Sequence, residues 1–380
     1  MTQATSEDPW SVTETDLREQ MRSLRQNDAD AAVVTVAAVD GSAYRRPGAK
    51  MLVPADGDAA GAVTAGCLEE PVVDLAQEIL ASGQPRIEVF DLLESDDDSW
   101  GLGLGCNGVI DLFVEPLDAS VDRPLAMLDN GDPATVLTVV DGSGDTPIGS
   151  RTVVGADGTR EAVPDREPVP TTLLDAIGET IDRIHGTGST RTVDIGSATV
   201  LVDSLQPVSD LLLFGSQNDL PPLARLAADV GFRVTVHSPR GGVDESTFPH
   251  ADTVTTGHPT TIADSVATDQ HTYAVVMSHN LVDDRLAVET LLTETEVPYV
   301  GLMGPRERFK ELRKSMAEDG VKLPKSALDR LSTPVGLDLG GGEPLEIALS
   351  IVAEALAVSN GCEGERLRDR DGPIHPRIPE

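Results

Sequence analysis

A run of apolar residues, Leu211 to Phe214, meets Gly215 at once, and helical spacing from Leu220 to Val230 then leads into a second strand, Arg233 to His237. Strand, glycine turn, helix and strand in that order describe a crossover, and crossovers join parallel strands. Later segments keep the alternation. Ala274 to Met277 and Tyr299 to Leu302 read as strands, Asp284 to Leu292 and Arg306 to Ala317 as helices, and Pro344 to Val358 as a long apolar closing helix. The C-terminal half is therefore expected to be a doubly wound α/β sheet, which takes ligands beyond the carboxyl ends of its strands.

Its glycine turn is a damaged fingerprint. A dinucleotide site uses G-x-G-x-x-G, whereas Gly215-Ser216-Gln217-Asn218-Asp219-Leu220 keeps glycine only at the first place. Asp219 puts negative charge where phosphates would dock, and the second strand ends in His237-Ser238-Pro239-Arg240 without the acid that holds a ribose. Arg240 offers a partner to phosphate instead. NAD(P) is thus disfavoured. Ser278-His279-Asn280 stands at a later strand end, and His279 is the histidine to test first. Gly304-Pro305-Arg306 and Gly336-Leu337-Asp338 read either as site loops or as turns that close the fold.

The N-terminal half reads differently. Helical spacing covers Glu14 to Gln26, and strands are expected at Ala31 to Val39, Met51 to Pro54, Arg86 to Leu92 and Val109 to Val114, around a helix from Val72 to Ala81. Between the first two strands lies Tyr44-Arg45-Arg46-Pro47-Gly48-Ala49-Lys50, a cluster of cations in a chain poor in them. It reads as an anion site or as a solvated hairpin tip. Two cysteines occupy glycine-rich turns, Gly66-Cys67-Leu68-Glu69 and Gly103-Leu104-Gly105-Cys106-Asn107-Gly108, and the third, Cys362, lies near the end. Cys67 falls just before a helix, where unpaired amides favour a thiolate. In a reducing compartment such a pair reads as a metal, sulfur or redox site before it reads as a bridge. Residues 119–206, with strands at Ala134 to Val140 and Thr192 to Val202, read as a β-rich connector without a site.

A formal charge of −35, from 64 acidic and 29 basic residues, excludes nucleic acid as the expected partner, because a phosphate backbone needs a basic face. The acid is spread along the chain, which fits a salty cytoplasm better than an acidic tail. No apolar run approaches a membrane span, and the start MTQATSEDPW lacks a secretory leader, so a cytoplasmic protein is expected.

With these motifs in hand, the chain resembles the XdhC/CoxI family, the accessory proteins of xanthine dehydrogenase and aerobic carbon monoxide dehydrogenase. GSAYRRPGAKML (41–52), TAGCLEEPVV (64–73) and LGLGCNGVIDLFVEPL (102–117) carry the likeness in the first half. In the second it is carried by residues 211–240, by VVMSHNLVDDRLAVETLL (275–292), by YVGLMGPRERFKEL (299–312) and by residues 333–361. The resemblance implies a small mixed α+β N-terminal domain with the cysteines (11–118), the connector (119–206), a Rossmann-like doubly wound parallel-sheet domain (207–362) and a polar tail (363–380). It implies a maturation factor that binds the molybdenum cofactor (molybdopterin), protects it during sulfuration and delivers it to a molybdenum hydroxylase apo-enzyme, with no turnover of its own required. A cysteine desulfurase and a second copy of the chain are further partners in that picture. Cys67 and Cys106, set by Gly66 and Gly105, would meet the metal, and Arg45, Arg46 and Lys50 the phosphate. Gly215, Arg240 and His279 are the candidates in the second half. An NAD(P)-dependent oxidoreductase and a scaffold docking a sulfurtransferase are the alternatives.

Overall fold

The structure, a computed structural model, describes residues 9–41, 43–92, 108–144, 146–241 and 245–369. It divides between Pro207 and Val208 into two compact units.

The N-terminal unit is built twice from one plan. The first copy runs α1 (Glu14–Gln26), β1 (Ala31–Gly41), β2 (Lys50–Pro54), β3 (Ala60–Gly61), α2 (Glu69–Ser82), β4 (Arg86–Asp91) and β5 (Gly108–Pro116). The second runs α3 (Asp122–Asp129), β6 (Ala134–Asp141), β7 (Arg151–Val154), β8 (Arg160–Ala162), α4 (Thr171–Ala176), α5 (Gly178–Ile184), β9 (Thr190–Ile195) and β10 (Ala198–Leu205). Their sheets have the orders β3-β2-β1-β5-β4 and β8-β7-β6-β10-β9, and every pairing is antiparallel. The stretch read from sequence as a connector is thus a second sheet of the same topology. Thr192 to Val202, expected as one strand, is a hairpin instead, because Gly196 takes φ 63° and turns the chain between Ile195 and Ala198.

The likeness extends to single bonds. Val36 N–H donates to Ala49 O and Gly48 N–H to Val36 O in the first hairpin, as Val139 N–H does to Ser150 O and Gly149 N–H to Val139 O in the second. The copies face each other with twofold character. β1 lies against β9 and β4 against β6, and Ala37 and Phe113 pack on Val140 and Leu201. Gly48 and Gly149 share a positive φ, and a Cβ on either would strike the other copy, Thr190 Oγ1 at 2.4 Å or Pro85 Cγ at 2.8 Å. The ion pairs are exchanged in the same way: Lys50 Nζ lies 2.7 Å from Asp203 Oδ2, and Arg151 Nη2 lies 2.5 Å from Glu115 Oε1. Arg25 and Arg22 of α1 reach Asp122 and Asp129 of α3. A cavity of about 80 Å³ lies between the copies, and its cations and carboxylates serve one another.

The C-terminal unit is the expected doubly wound sheet. Its strands are β11 (Asp210–Phe214), β12 (Arg233–Ser238), β13 (Thr253–Thr256), β14 (Thr272–Val276), β15 (Tyr299–Leu302) and β16 (Leu331–Ser332). They are all parallel, in the order β13-β12-β11-β14-β15-β16. α6 (Leu220–Asp229) and α10 (Pro344–Ser359) pack on one face, and α7 (Leu281–Glu294), α8 (Arg306–Glu318) and α9 (Lys325–Leu328) on the other. Both faces are covered, so β11 is buried along its length and its sequence is continuously apolar after Asp210. The order reverses between β11 and β14, which sets the crevice of such sheets at their carboxyl ends. No helix of the described residues is long and apolar enough to cross a membrane.

Candidate functional site

In the N-terminal unit the candidates gather around one aromatic contact. The turn before α2 is braced by Glu69, whose carboxylate accepts from Thr64 Oγ1 at 2.7 Å and from Leu68 N–H at 3.1 Å. Cys67, held in that turn, is half-buried against the apolar core between α2 and the sheet. Trp10 lies beside the turn: a Cβ on Gly66 would lie 3.8 Å from its Cζ2. The indole meets Tyr44 edge to face, with ring centroids 6.5 Å apart and planes at 71°. Tyr44 opens the hairpin tip that carries Arg45 and Arg46, both exposed. The structure thereby links the Gly66-Cys67 turn to the cationic tip through two aromatic rings.

Lys50 stands apart from this group. Its ammonium bonds Asp203 Oδ2 at 2.7 Å and Gly48 O at 3.1 Å, so its partner is the second copy of the fold. Gly105, Cys106 and the acidic run Glu94 to Asp98 lie outside the described residues; β5 begins two residues after Cys106, at Gly108, which pairs with Gly41. Among the described residues no group of three histidines, cysteines, aspartates or glutamates could hold a metal ion.

In the C-terminal unit the candidates lie at the crevice. Gly215 follows β11, and a Cβ there would come 2.9 Å from Met277 O, so only glycine lets the two strand ends meet. His279 follows β14 with φ 57°, a left-handed conformation uncommon for histidine, and its Nε2 lies 2.7 Å from Asp219 Oδ2. Below it, the fully buried Asp284 accepts from Ser278 N–H at 3.0 Å, Ser278 Oγ at 2.5 Å and Arg308 Nε at 3.0 Å. Asn280 caps α7 through Val282 N–H, 2.9 Å. Arg240 is exposed after β12, and Ser238 Oγ braces its backbone. Gly336 donates to Glu354 Oε2 at 2.7 Å, which makes that loop a closing turn.

The start of α6 bears on phosphate chemistry. Leu220 N–H is taken by Gln217 O at 3.2 Å, and Pro221 and Pro222 have no N–H, so the first three positions present no free amide to a pyrophosphate. The lost glycines and Asp219 alone do not reveal this; the signal that does is Pro221-Pro222, directly after Leu220.

His237 makes this unit sensitive to acid. It is buried between Phe214, whose ring stacks on it at 5.9 Å, and Ser265 and Thr255, whose hydroxyls lie 2.9 and 3.0 Å from its Nδ1. Burial pulls its pKa below the ordinary 6.5, against the carbonyls of Gly257 and His258 and the charge of Asp264, and burial lowers His271 likewise. Above about 6.5 both states are neutral; below it the unfolded chain takes up protons first, so stability falls as pH drops. Urea midpoints followed from about pH 7.5 to 5.5 should therefore decline, and His237→Gln should flatten the decline. Equal slopes in both proteins would remove this assignment.

Residues 211–355 match the model of the XdhC Rossmann domain, and residues 24–91 that of the XdhC and CoxI family. The chain is 31% identical, over 88% of its length and 94% of the relative's, to a Bacillus subtilis (strain 168) protein described as a probable subunit of xanthine dehydrogenase. It is 27% identical over 47% of its length to the uncharacterized protein YqeB of Escherichia coli (strain K12), covering 32% of that protein. A crystal structure of a Bacillus halodurans protein described as a xanthine dehydrogenase superposes with a TM-score of 0.75 at 27% identity, over 92% of this chain and 96% of that one.

Proposed function

The chain belongs to the XdhC and CoxI family, and on that footing we propose that it is an accessory protein of a xanthine dehydrogenase or carbon monoxide dehydrogenase type molybdenum hydroxylase. In this reading it holds the molybdenum cofactor in the cytoplasm while the metal receives sulfur, and passes it to the apo-enzyme. Cys67 meets the metal or relays sulfur, with Cys106 as its companion, and Arg45 and Arg46 hold the pterin phosphate. A cysteine desulfurase supplies the sulfur.

The observation that supports this most is the link between the thiol turn and the cationic tip through Trp10 and Tyr44. A half-buried thiol, exposed guanidinium groups and aromatic faces suit an anionic pterin that carries a soft, sulfur-bound metal. Such a metal comes with sulfur ligands of its own and needs no complete protein cage. The start of α6, without free amides, favours this reading over nicotinamide chemistry.

The test is cofactor retention. Protein purified in concentrated potassium chloride, which screens the charge of −35, and in reducing agent should carry molybdenum and molybdopterin. Cys67→Ala should lower retained metal by about tenfold or more, and Cys106→Ala alongside it should abolish retention. Undiminished cofactor in the double variant would remove both thiols from the site.

A further inference from the structure

Resting on the cofactor reading above, we infer that Trp10 and Tyr44 form an aromatic wall on which the flat heterocycle of the ligand stacks, beside the Gly66-Cys67 turn and the Arg45 guanidinium. Both rings are large and exposed, Trp10 by 47% and Tyr44 by 64%, in a chain with only 3% aromatic residues. Exposed aromatics that touch each other and border a cation are a recurrent platform for planar, anionic ring systems. Glycine at position 66 matters here because the turn takes φ 103° at it, and a Cβ there would already be in van der Waals contact with the indole, 3.8 Å from Cζ2.

The second copy of the fold supplies an internal control. It builds the same five-stranded sheet, the same tip glycine and the same hairpin bonds with no phenylalanine, tyrosine, tryptophan or cysteine anywhere from 119 to 206. Its hairpin tip reads Thr146-Pro147-Ile148-Gly149 where the first copy has Arg45-Arg46-Pro47-Gly48. The segment leading to its helix, Val163 to Pro170, has no thiol. Folding this plan therefore requires neither the rings, the paired arginines nor the cysteine. Their confinement to one copy makes that copy the ligand-binding face.

Calorimetric titration of the full chain, in concentrated potassium chloride, with molybdopterin extracted from a molybdenum enzyme and with pterin-6-carboxylate tests the wall. The second probe keeps the ring and a negative charge but lacks metal and dithiolene. Trp10→Ala with Tyr44→Ala should weaken both probes by about 10- to 100-fold, and Trp10→Phe with Tyr44→Phe should restore most of the affinity because the stacking faces return. Tyr44→Ala alone, at the more exposed ring, gives the same comparison should the double variant fold poorly. Wild-type affinity in the alanine variants, or equal loss in the phenylalanine variant, would overturn the wall and leave the cofactor reading standing. Failure of the wild-type chain to bind either probe would overturn that reading, and the wall with it.

Discussion

Glu115→Ala is expected to destabilise the N-terminal unit by about 3–5 kcal/mol. The carboxylate is 8% exposed and accepts from Arg151 Nη2 at 2.5 and 2.7 Å and from Arg166 Nη2 at 3.2 Å. Without it Arg151, 6% exposed, keeps Thr138 and Ser120 as neutral partners and no anion. The cost is a buried charge left uncompensated, more than the net worth of the bond. Asp203→Ala removes the equivalent group of the second copy but should cost less, because Lys50 is 19% exposed and can turn toward water. Glu115→Met with Arg151→Met should recover much of the loss by exchanging the pair for apolar packing. Urea midpoints in concentrated salt measure all three, and a loss below about 1 kcal/mol for Glu115→Ala would show that the pair does not hold the copies together.

That pair belongs to a duplication written in the sequence. Gly48-Ala49-Lys50-Met51-Leu52-Val53 corresponds to Gly149-Ser150-Arg151-Thr152-Val153-Val154, and Ala55-Asp56-Gly57 to Ala156-Asp157-Gly158. The match is hard to see because its spacing drifts. Thr35 pairs with Lys50 whereas Thr138 pairs with Arg151, so the first hairpin is longer by two residues and no single offset aligns both of its strands. Apolar residues also exchange freely at core positions, as Ala37 with Val140 and Phe113 with Leu201. Strand pairing restores what the letters blur.

The parallel sheet was far more legible. Continuous burial makes a continuous apolar run, so Leu211 to Phe214 and Tyr299 to Leu302 announce themselves, while edge strands such as β13, only partly buried, carry too weak a pattern to be read. At the site, Cys67 and the arginines stand out by residue type. Trp10 does not, because it precedes the first helix in sequence, and only folding brings it beside Gly66. Lys50 shows the converse: it ends a segment that holds Arg45 and Arg46, and its partner is an aspartate 153 residues away.

The crevice of the C-terminal unit hangs on one carboxylate, and Asp284→Ala is expected to cost that unit about 3–5 kcal/mol. Asp284 is 1% exposed and holds three elements at once. It accepts from the N–H and the Oγ of Ser278 just past β14, it sits in the first turn of α7, and it receives the guanidinium of Arg308 from α8. Alanine leaves a buried amide and a largely buried cation without their acceptor, and each carries its own desolvation cost. The loss also reaches the crevice histidine, because Ser278 is the residue before His279. The left-handed backbone of His279 persists only while its surroundings enforce it, so releasing Ser278 should let the histidine relax to negative φ and leave Asp219. Asp284→Asn separates the two effects, since an amide can still accept from Ser278 while losing the charge that binds Arg308. It should retain the His279 to Asp219 contact, seen as a histidine ring resonance that responds to Asp219→Asn, while losing most of the stability. If both variants keep that coupling, Ser278 does not position His279.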